Sequence, residues 1–347
     1  MSYSLAGLTG YYSLHGIHIE VRWDDASVAK AIDAILNYFG LIRREGASRQ
    51  RPVQLAFLTQ EPPPTLPDNA HWVVQHNGIE VWRADHSFYL RESGSIMQLD
   101  AAAGTGWGII QSPLWRQPSL VRLETINLVI HSLLILLRHR ALYPLHAAAL
   151  TREGNGVLLV AQSDSGKSTQ ALSLVRQGWG YLSDDSLLLR PVGEGVEARP
   201  LRRDFGVDQE AVHDFPEIAA HWQPYLTDER KRRIDMEAVY PGQRVERCLP
   251  RVLVFPKIVP RLESKLNPIG KKEALFRLMR QSGLLALEPR ISAAHLDVLK
   301  RLVNQADGYE LLAGRDMKRE PALVAPMLAR ILPAPCVDEP PLAAIHE

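Results

Sequence analysis

Cysteine is almost missing from this chain. Its 347 residues include only Cys248 and Cys336, and neither stands in a metal-binding or redox spacing. A disulfide-stapled scaffold is excluded, and a reducing cytoplasm is the expected location. An excess of either charge is missing as well: 40 Lys and Arg face 39 Asp and Glu, a formal net charge of +1. Nothing in that balance steers the protein to a polyanion, so no nucleic-acid partner is expected. There is no long apolar run. The most apolar stretch, Ile126 to Leu137, is too short to span a bilayer and carries Asn127, His131 and Ser132, so it reads as a buried helix and no membrane partner is expected. The opening residues MSYSLAGLTGYYSLHGIHIE lack the basic segment and apolar core of a signal peptide. Internal repeats are absent.

What the chain does have is concentrated between Leu145 and Arg190. The apolar run Val157 to Val160 leads into Ala161, Gln162, Ser163, Asp164, Ser165, Gly166, Lys167, Ser168 and Thr169. That is a strand, a tight loop and a helix start in the order of a phosphate-binding loop. The form G-x-x-x-x-G-K-[ST] works because backbone N–H groups crowded at a helix N-terminus surround phosphate oxygens. Lys167 is placed to reach the β- and γ-phosphates of a nucleotide, and the Ser168 hydroxyl to bind Mg²⁺. Ala171, Leu172, Leu174 and Val175 give the following helix an apolar face, and Gly178 is placed to end it. After a further short segment come Asp184 and Asp185, a carboxylate pair suited to metal binding and proton transfer. Adjacent strand residues point to opposite faces, so either aspartate can take either role: Asp184 at the metal and Asp185 as base, or the reverse.

The run LHAAAL, then VLLVAQSDSGKST, then GWGYLSDD resembles the catalytic core of the HPr kinase/phosphorylase family. The likeness covers about residues 140–190. It implies a P-loop-containing α/β nucleotide domain of the HPr kinase and phosphoenolpyruvate carboxykinase type. It also implies Mg-ATP-dependent phosphorylation of a serine or threonine on a small protein or peptide, and a site role for His146 beside the phosphates. The family loop carries glycines where this chain has Ala161 and Asp164. Alanine is mild if φ stays negative, whereas an aspartate beside polyphosphate costs energy unless it turns away or helps hold the metal. Two other readings stand beside the kinase: a degenerate nucleotide-binding scaffold that recognises a partner, and a kinase acting on a small metabolite. Self-association into a homo-oligomer is left open.

The rest of the chain fits around that core. Residues 1–140 read as a smaller α+β module, 141–332 as the nucleotide domain and 333–347 as a disordered, proline- and acid-rich tail. In the module, Ile17, Ile19, Val21 and Trp23 alternate as a strand, and Asp25 caps a helix closed by Gly40. Val53 to Leu58 is a strand, Pro62 to Pro67 a break, and Asn77-Gly78 the turn of a hairpin. A second hairpin turns at Glu92 to Gly94, so the expected sheet is small and mostly antiparallel. Gly104 to Gly108 reads as a flexible turn, and Ser119 opens a long helix through Leu137. In the nucleotide domain, the basic run within Glu229 to Asp235 is the candidate outer phosphate clamp, and Arg202 and Arg203 form a second basic group. Val252 to Phe255 is a strand ended by Pro256, residues 258–270 a substrate-facing loop, and Lys271 to Ser282 a helix. Ser292 is expected to cap a further helix ended by Gly308, followed by a strand at Tyr309 to Leu312 and a helix over Ala322 to Leu332.

Overall fold

Alternation of buried and open side chains sets the first two strands, β1 (Leu8–Leu14) and β2 (Ile17–Trp23). The computed structural model describes residues 8–59, 62–76, 78–110, 123–162, 165–224, 231–285 and 287–335. The expectations placed on Asn77, Ser119, Ser163, Asp164, Glu229, Arg230 and Cys336, and on the tail from residue 336, lie outside these residues. The chain is mixed α/β with several sheets and divides into two units. The first is Met1–Pro144 with Leu226–Glu229 and Gly283–His295; the second is Leu145–Tyr225 with Arg230–Ser282 and Leu296–Glu347. The sequence places the division at 140/141 and keeps 283–295 in the second domain.

In the first unit, α1 (Ala26–Tyr38) starts where Asp25 accepts hydrogen bonds from Ser27 N at 2.7 Å and Val28 N at 3.2 Å. This satisfies two of the donors a helix N-terminus leaves free. Seven strands follow: β3 (Ile42–Arg44), β4 (Val53–Leu58), β5 (His71–His76), β6 (Ile79–Ala84), β7 (Ser87–Glu92), β8 (Ser95–Asp100) and β9 (Thr105–Ile109). They join the first two in one nine-stranded sheet, in the order β3-β1-β2-β4-β9-β8-β7-β6-β5. The expected small sheet is therefore large, and it contains the parallel pairs β2/β4 and β4/β9.

Gly104 to Gly108 is not a flexible turn. Most of it is β9, between β4 and β8. A Cβ at Gly106 would lie 2.4 Å from Leu99 Cδ2, and one at Gly108 2.1 Å from the Ile96 carbonyl oxygen. These glycines allow close strand packing, a use that composition alone does not separate from loop flexibility. Helix α2 (Leu123–Arg138) carries the apolar run, with Ile126, Val129, Leu133 and Leu137 buried. Among the described residues no helix is long and apolar enough to cross a membrane.

Two histidines of this unit are buried as neutral rings. His131, whose Nδ1 lies 2.8 Å from the Asn127 carbonyl, is pushed down to about 4 mainly by burial. His295, stacked on Tyr143, is pushed down to about 3 by burial, with Arg138 adding to the shift. In the unfolded chain each binds a proton near pH 6.5, so the stability from keeping them neutral is complete above that value and is lost as pH falls below it. Lowering the pH from 7 to 5 should cost about 2 kcal/mol for each histidine. Urea unfolding followed at both pH values checks this, and a flat profile would contradict it.

The second unit begins within β10 (Tyr143–His146). It continues through β11 (Ala148–Arg152), β12 (Asn155–Leu159), α3 (Lys167–Arg176), β13 (Gly180–Ser183), β14 (Ser186–Val192), β15 (Gly195–Pro200) and β16 (Phe205–Asp208). Then come α4 (Ala211–Asp214), β17 (Trp222–Pro224), β18 (Lys231–Ile234), α5 (Met236–Val239), β19 (Pro250–Ile258), β20 (Lys265–Ile269) and α6 (Lys271–Arg280). The last elements are α7 (Pro289–Gln305), which starts in the first unit, β21 (Asp307–Ala313), α8 (Arg315–Arg319) and α9 (Val324–Ala329). The main sheet runs β13-β11-β12-β19-β21-β20, with β12, β19 and β21 parallel. Helix α3 buries Ala171, Leu172, Leu174 and Val175 in the cluster that contains Val157, Leu159, Val252 and Val254. Burying each leucine or valine is worth about 1.5–3 kcal/mol, which fixes the helix start against the sheet.

Several boundaries from β19 onward differ from expectation. Pro256 does not end β19, because past Val254 the strand pairs only with β21. Part of the expected loop 258–270 is the edge strand β20. Ser292 lies inside α7, which begins at Pro289. Gly308 belongs to β21 and does not end a helix. The final helix is shorter than 322–332, since Pro321–Leu323 form a 3₁₀ turn ahead of α9.

Candidate phosphate-binding site

Strand β12 delivers the loop. Val160 N donates to the Val254 carbonyl at 2.8 Å, which ties the strand exit to the neighbouring parallel strand. Ala161 and Gln162 follow. Ser165 and Gly166 then lead into α3, where Gly166 adopts φ 82° at the N-cap with no side-chain cap. Only glycine takes that conformation cheaply, and the uncapped helix start leaves its backbone N–H groups for an anion. Thr169, the last residue of the loop motif, lies in the first turn of α3.

Lys167 opens the helix and turns inward. It is 5% exposed, and its Nζ donates to His146 Nε2 at 2.7 Å and to the Ala161 carbonyl at 3.0 Å; Asp185 Oδ1 lies 3.4 Å away. Burial lowers its pKa, while Asp185 and Asp184 oppose that shift. His146 stands between two partners. Its Nδ1 is 3.0 Å from Asp185 Oδ1, an acceptor, so Nδ1 carries the hydrogen and Nε2 accepts from the lysine. Burial lowers the His146 pKa, opposed by Asp185 and supported by Lys167. The end of α6 fixes its backbone, since His146 N donates to the Gln281 carbonyl at 3.0 Å.

The two aspartates occupy different surroundings. Asp184 is 1% exposed, and its carboxylate accepts from Ser168 Oγ at 3.0 Å, Gly206 N at 3.0 Å and Arg202 at 3.1 Å. The Asp185 side chain is 27% exposed and meets His146, Lys167 and Arg202, the last at 3.3 Å. Burial alone would raise its pKa, but Arg202, His146 and Lys167 together hold it well below the usual carboxylate range. Arg202 bridges both carboxylates and is 4% exposed.

The structure thus brings together His146, Lys167, Ser168, Asp184 and Asp185. Ser163 and Asp164 lie outside the described residues, so the expectation for Asp164 gains no geometry. Of the expected outer clamp, Arg233 pairs with Asp204 at 3.2 Å and Arg232 lies over Trp222. Among the described residues, the cation that reaches the aspartates besides Lys167 is Arg202. Sequence reasoning placed it in a second basic group without assigning it to the aspartates, because a basic residue opposite two acids many positions earlier carries no local signal.

A family model described as SynChlorMet cassette protein ScmC matches residues 116–202. That span holds His146, the loop, both aspartates and Arg202. Among solved structures, the chain is similar to the Hpr(Ser) kinase/phosphatase from Coxiella burnetii. The identity is 13%, over 54% of this chain and 94% of that one, with a TM-score of 0.29. No curated protein matches.

Proposed function

We propose that the second unit is a phosphotransferase that moves the γ-phosphate of Mg-ATP to a serine or threonine hydroxyl of a small protein or peptide, on a nucleotide domain of the HPr kinase type. The observation that carries this reading is the meeting of Lys167, Ser168, His146 and both aspartates, within hydrogen-bond or ion-pair distance, where β12 gives way to α3. Phosphoryl transfer asks a protein mainly for positioning and charge neutralisation, and this group of side chains is suited to both.

The helix N–H groups and Lys167 would hold the phosphates. Lys167 would exchange His146 Nε2 for a phosphate oxygen, which keeps its charge paired. Ser168 and Asp184 fit Mg²⁺: a hydroxyl and a carboxylate oxygen 3.0 Å apart are hard donors that already point at one another. Among the described residues no group of three or more His, Cys, Asp or Glu forms a metal cage, which suits an ion that takes its other ligands from phosphate and water. When bound, Mg²⁺ would neutralise charge on the phosphates. Asp185, the more exposed aspartate, would accept the proton as the acceptor oxygen bonds to phosphorus and ADP departs. Arg202 keeps Asp185 ionised and fixed. The His146 Nδ1–H would orient the same carboxylate.

Calorimetric titration of Mg-ATP into the full chain tests the reading, followed by intact-mass analysis of serine-containing peptides after incubation. Lys167→Met, which keeps most of the buried volume, should weaken Mg-ATP binding about ten- to a hundredfold, the worth of a charge-assisted hydrogen bond. Undiminished affinity in that variant would remove the phosphate-loop role. Binding without transfer to any acceptor would favour the nucleotide-binding scaffold.

A further inference from the structure

Residues 257–282 differ in character from the rest of the surface. They hold seven basic and two acidic residues, a net charge of +5 in a chain whose total is +1. Lys257, Arg261, Lys265, Lys271, Lys272 and Arg280 are all exposed, and among the described residues none of them is in an ion pair; only Arg277 is, with Glu273 and Glu310. The same segment concentrates apolar exposure. Of the eight large hydrophobic side chains exposed among the described residues, four fall here: Ile258 at 60%, Leu262 at 73%, Phe276 at 60% and Met279 at 36%. Single exposed apolar residues need no explanation, but four within one cationic stretch, two of them side by side on α6, point to an interaction site.

The segment touches the candidate site at two points. Ile258 Cδ1 lies 3.9 Å from the position a Cβ on Gly166 would take, so it borders the phosphate loop. At the other end, the Gln281 carbonyl just beyond α6 accepts from His146 N. On α6, Lys272, Phe276, Met279 and Arg280 are three or four residues apart and form one exposed stripe, while Ala274 and Leu278 face inward. The loop carrying Leu262 is held in place. Arg315 N donates to the Arg261 carbonyl at 2.8 Å, Asp316 N to the Leu262 carbonyl at 3.0 Å, and Ser264 Oγ to Asp316 at 2.6 Å. Its ordering cost is therefore met before any partner arrives. The neighbouring edge strand β20 carries Lys265 and Pro268, which discourage strand addition. Side chains, and not backbone pairing, are what this surface offers.

Resting on the proposed transfer for the position of the acceptor hydroxyl, we propose that this surface docks an acidic segment of the acceptor. In that segment, Asp and Glu alternate with apolar anchors close to the modified serine or threonine. The anchors would cover Ile258, Leu262, Phe276 and Met279, and the carboxylates would face the unpaired lysines and arginines. A second copy of this chain is a poor occupant, because a two-fold contact through this segment would set its exposed lysines and arginines against one another.

Three short fluorescein-labelled peptides test this by anisotropy on the full chain without nucleotide. The first alternates Glu with Leu and Phe around one Ser, the second has Lys for each Glu, and the third has Gly for each Leu and Phe. The first should bind, the other two about tenfold more weakly or not at all, and its binding should weaken as salt rises from about 0.05 to 0.5 M. The pairs K272E/R280E and F276S/M279S, both on the surface, should each weaken it about tenfold while leaving Mg-ATP affinity unchanged. Equal binding of all three peptides, binding of none, or indifference to both variant pairs would overturn the proposal. So would sedimentation with phosphatidylglycerol vesicles, or self-association, abolished by those variants in a chain that ignores the peptides. Peptide binding by a chain that never binds Mg-ATP would sink the transfer reading and leave the surface. Mg-ATP binding with no peptide binding would do the reverse.

Discussion

Asparagine in place of Asp185 is expected to lower turnover by about 10²–10⁴, the usual contribution of a positioned general base, while Mg-ATP binds nearly as before. Asp185 lies at the more exposed end of the carboxylate pair, and its carboxylate meets side chains, namely His146, Lys167, Arg202 and the Ser186 hydroxyl. Asparagine keeps an acceptor oxygen for part of that set and loses the charge that takes the proton. Asp184→Asn should behave differently. That carboxylate is buried and accepts from Ser168, the Gly206 N–H and Arg202, so an amide NH₂ would face a donor. Both the Mg²⁺ dependence of nucleotide binding and stability should fall. Single-turnover rates, with calorimetry in the presence and absence of Mg²⁺, separate the two variants. Wild-type turnover in both would reduce the pair to a structural turn. Because Asp185 is held below the usual carboxylate range, it stays ionised through neutral and mildly acidic pH. Any loss of rate between pH 7 and 5 therefore belongs to another group.

The second large effect concerns Arg202, which sequence reasoning did not single out. Replacing it with methionine removes the cation shared by two adjacent carboxylates and takes the Arg202 ion pair from the buried Asp184. Breaking such a buried pair from one side costs about 3–5 kcal/mol. In a unit of this size that corresponds to a melting temperature lower by roughly 6–20 °C. The sign with pH follows from Asp185. Its folded pKa is depressed, so the stability it contributes is fully present above the unfolded carboxyl value near 3.9. That stability disappears as pH falls through the folded value. The gap between wild type and Arg202→Met should therefore be widest near neutrality and should narrow below about pH 4. Thermal melts across that range measure it. A methionine variant as stable as wild type at pH 7 would mean that Arg202 does not neutralise the pair.

The sequence alone was enough for features governed by neighbouring residues. The helix start at Gly166 and Lys167, the amphipathic face of α3, the Asp25 cap and the turn at Glu92 to Gly94 each depend on spacing within a few positions. There the chain's own steric and hydrogen-bonding rules act directly. Lys167, Ser168, His146 and the two aspartates were recognisable as candidates for the same reason, since they sit in short strings with few alternative uses. Tertiary structure decided whatever depends on what lies across the fold. Gly106 and Gly108 are strand residues because β4 and β8 press against them, and α7 begins before Ser292. Only packing distinguishes Asp184, closed off by Arg202 and the Gly206 N–H, from Asp185, which stays open. Two identical side chains at adjacent positions differ in chemistry through burial and partners, and most of those partners are distant in sequence, from Ser168 and Arg202 to His146.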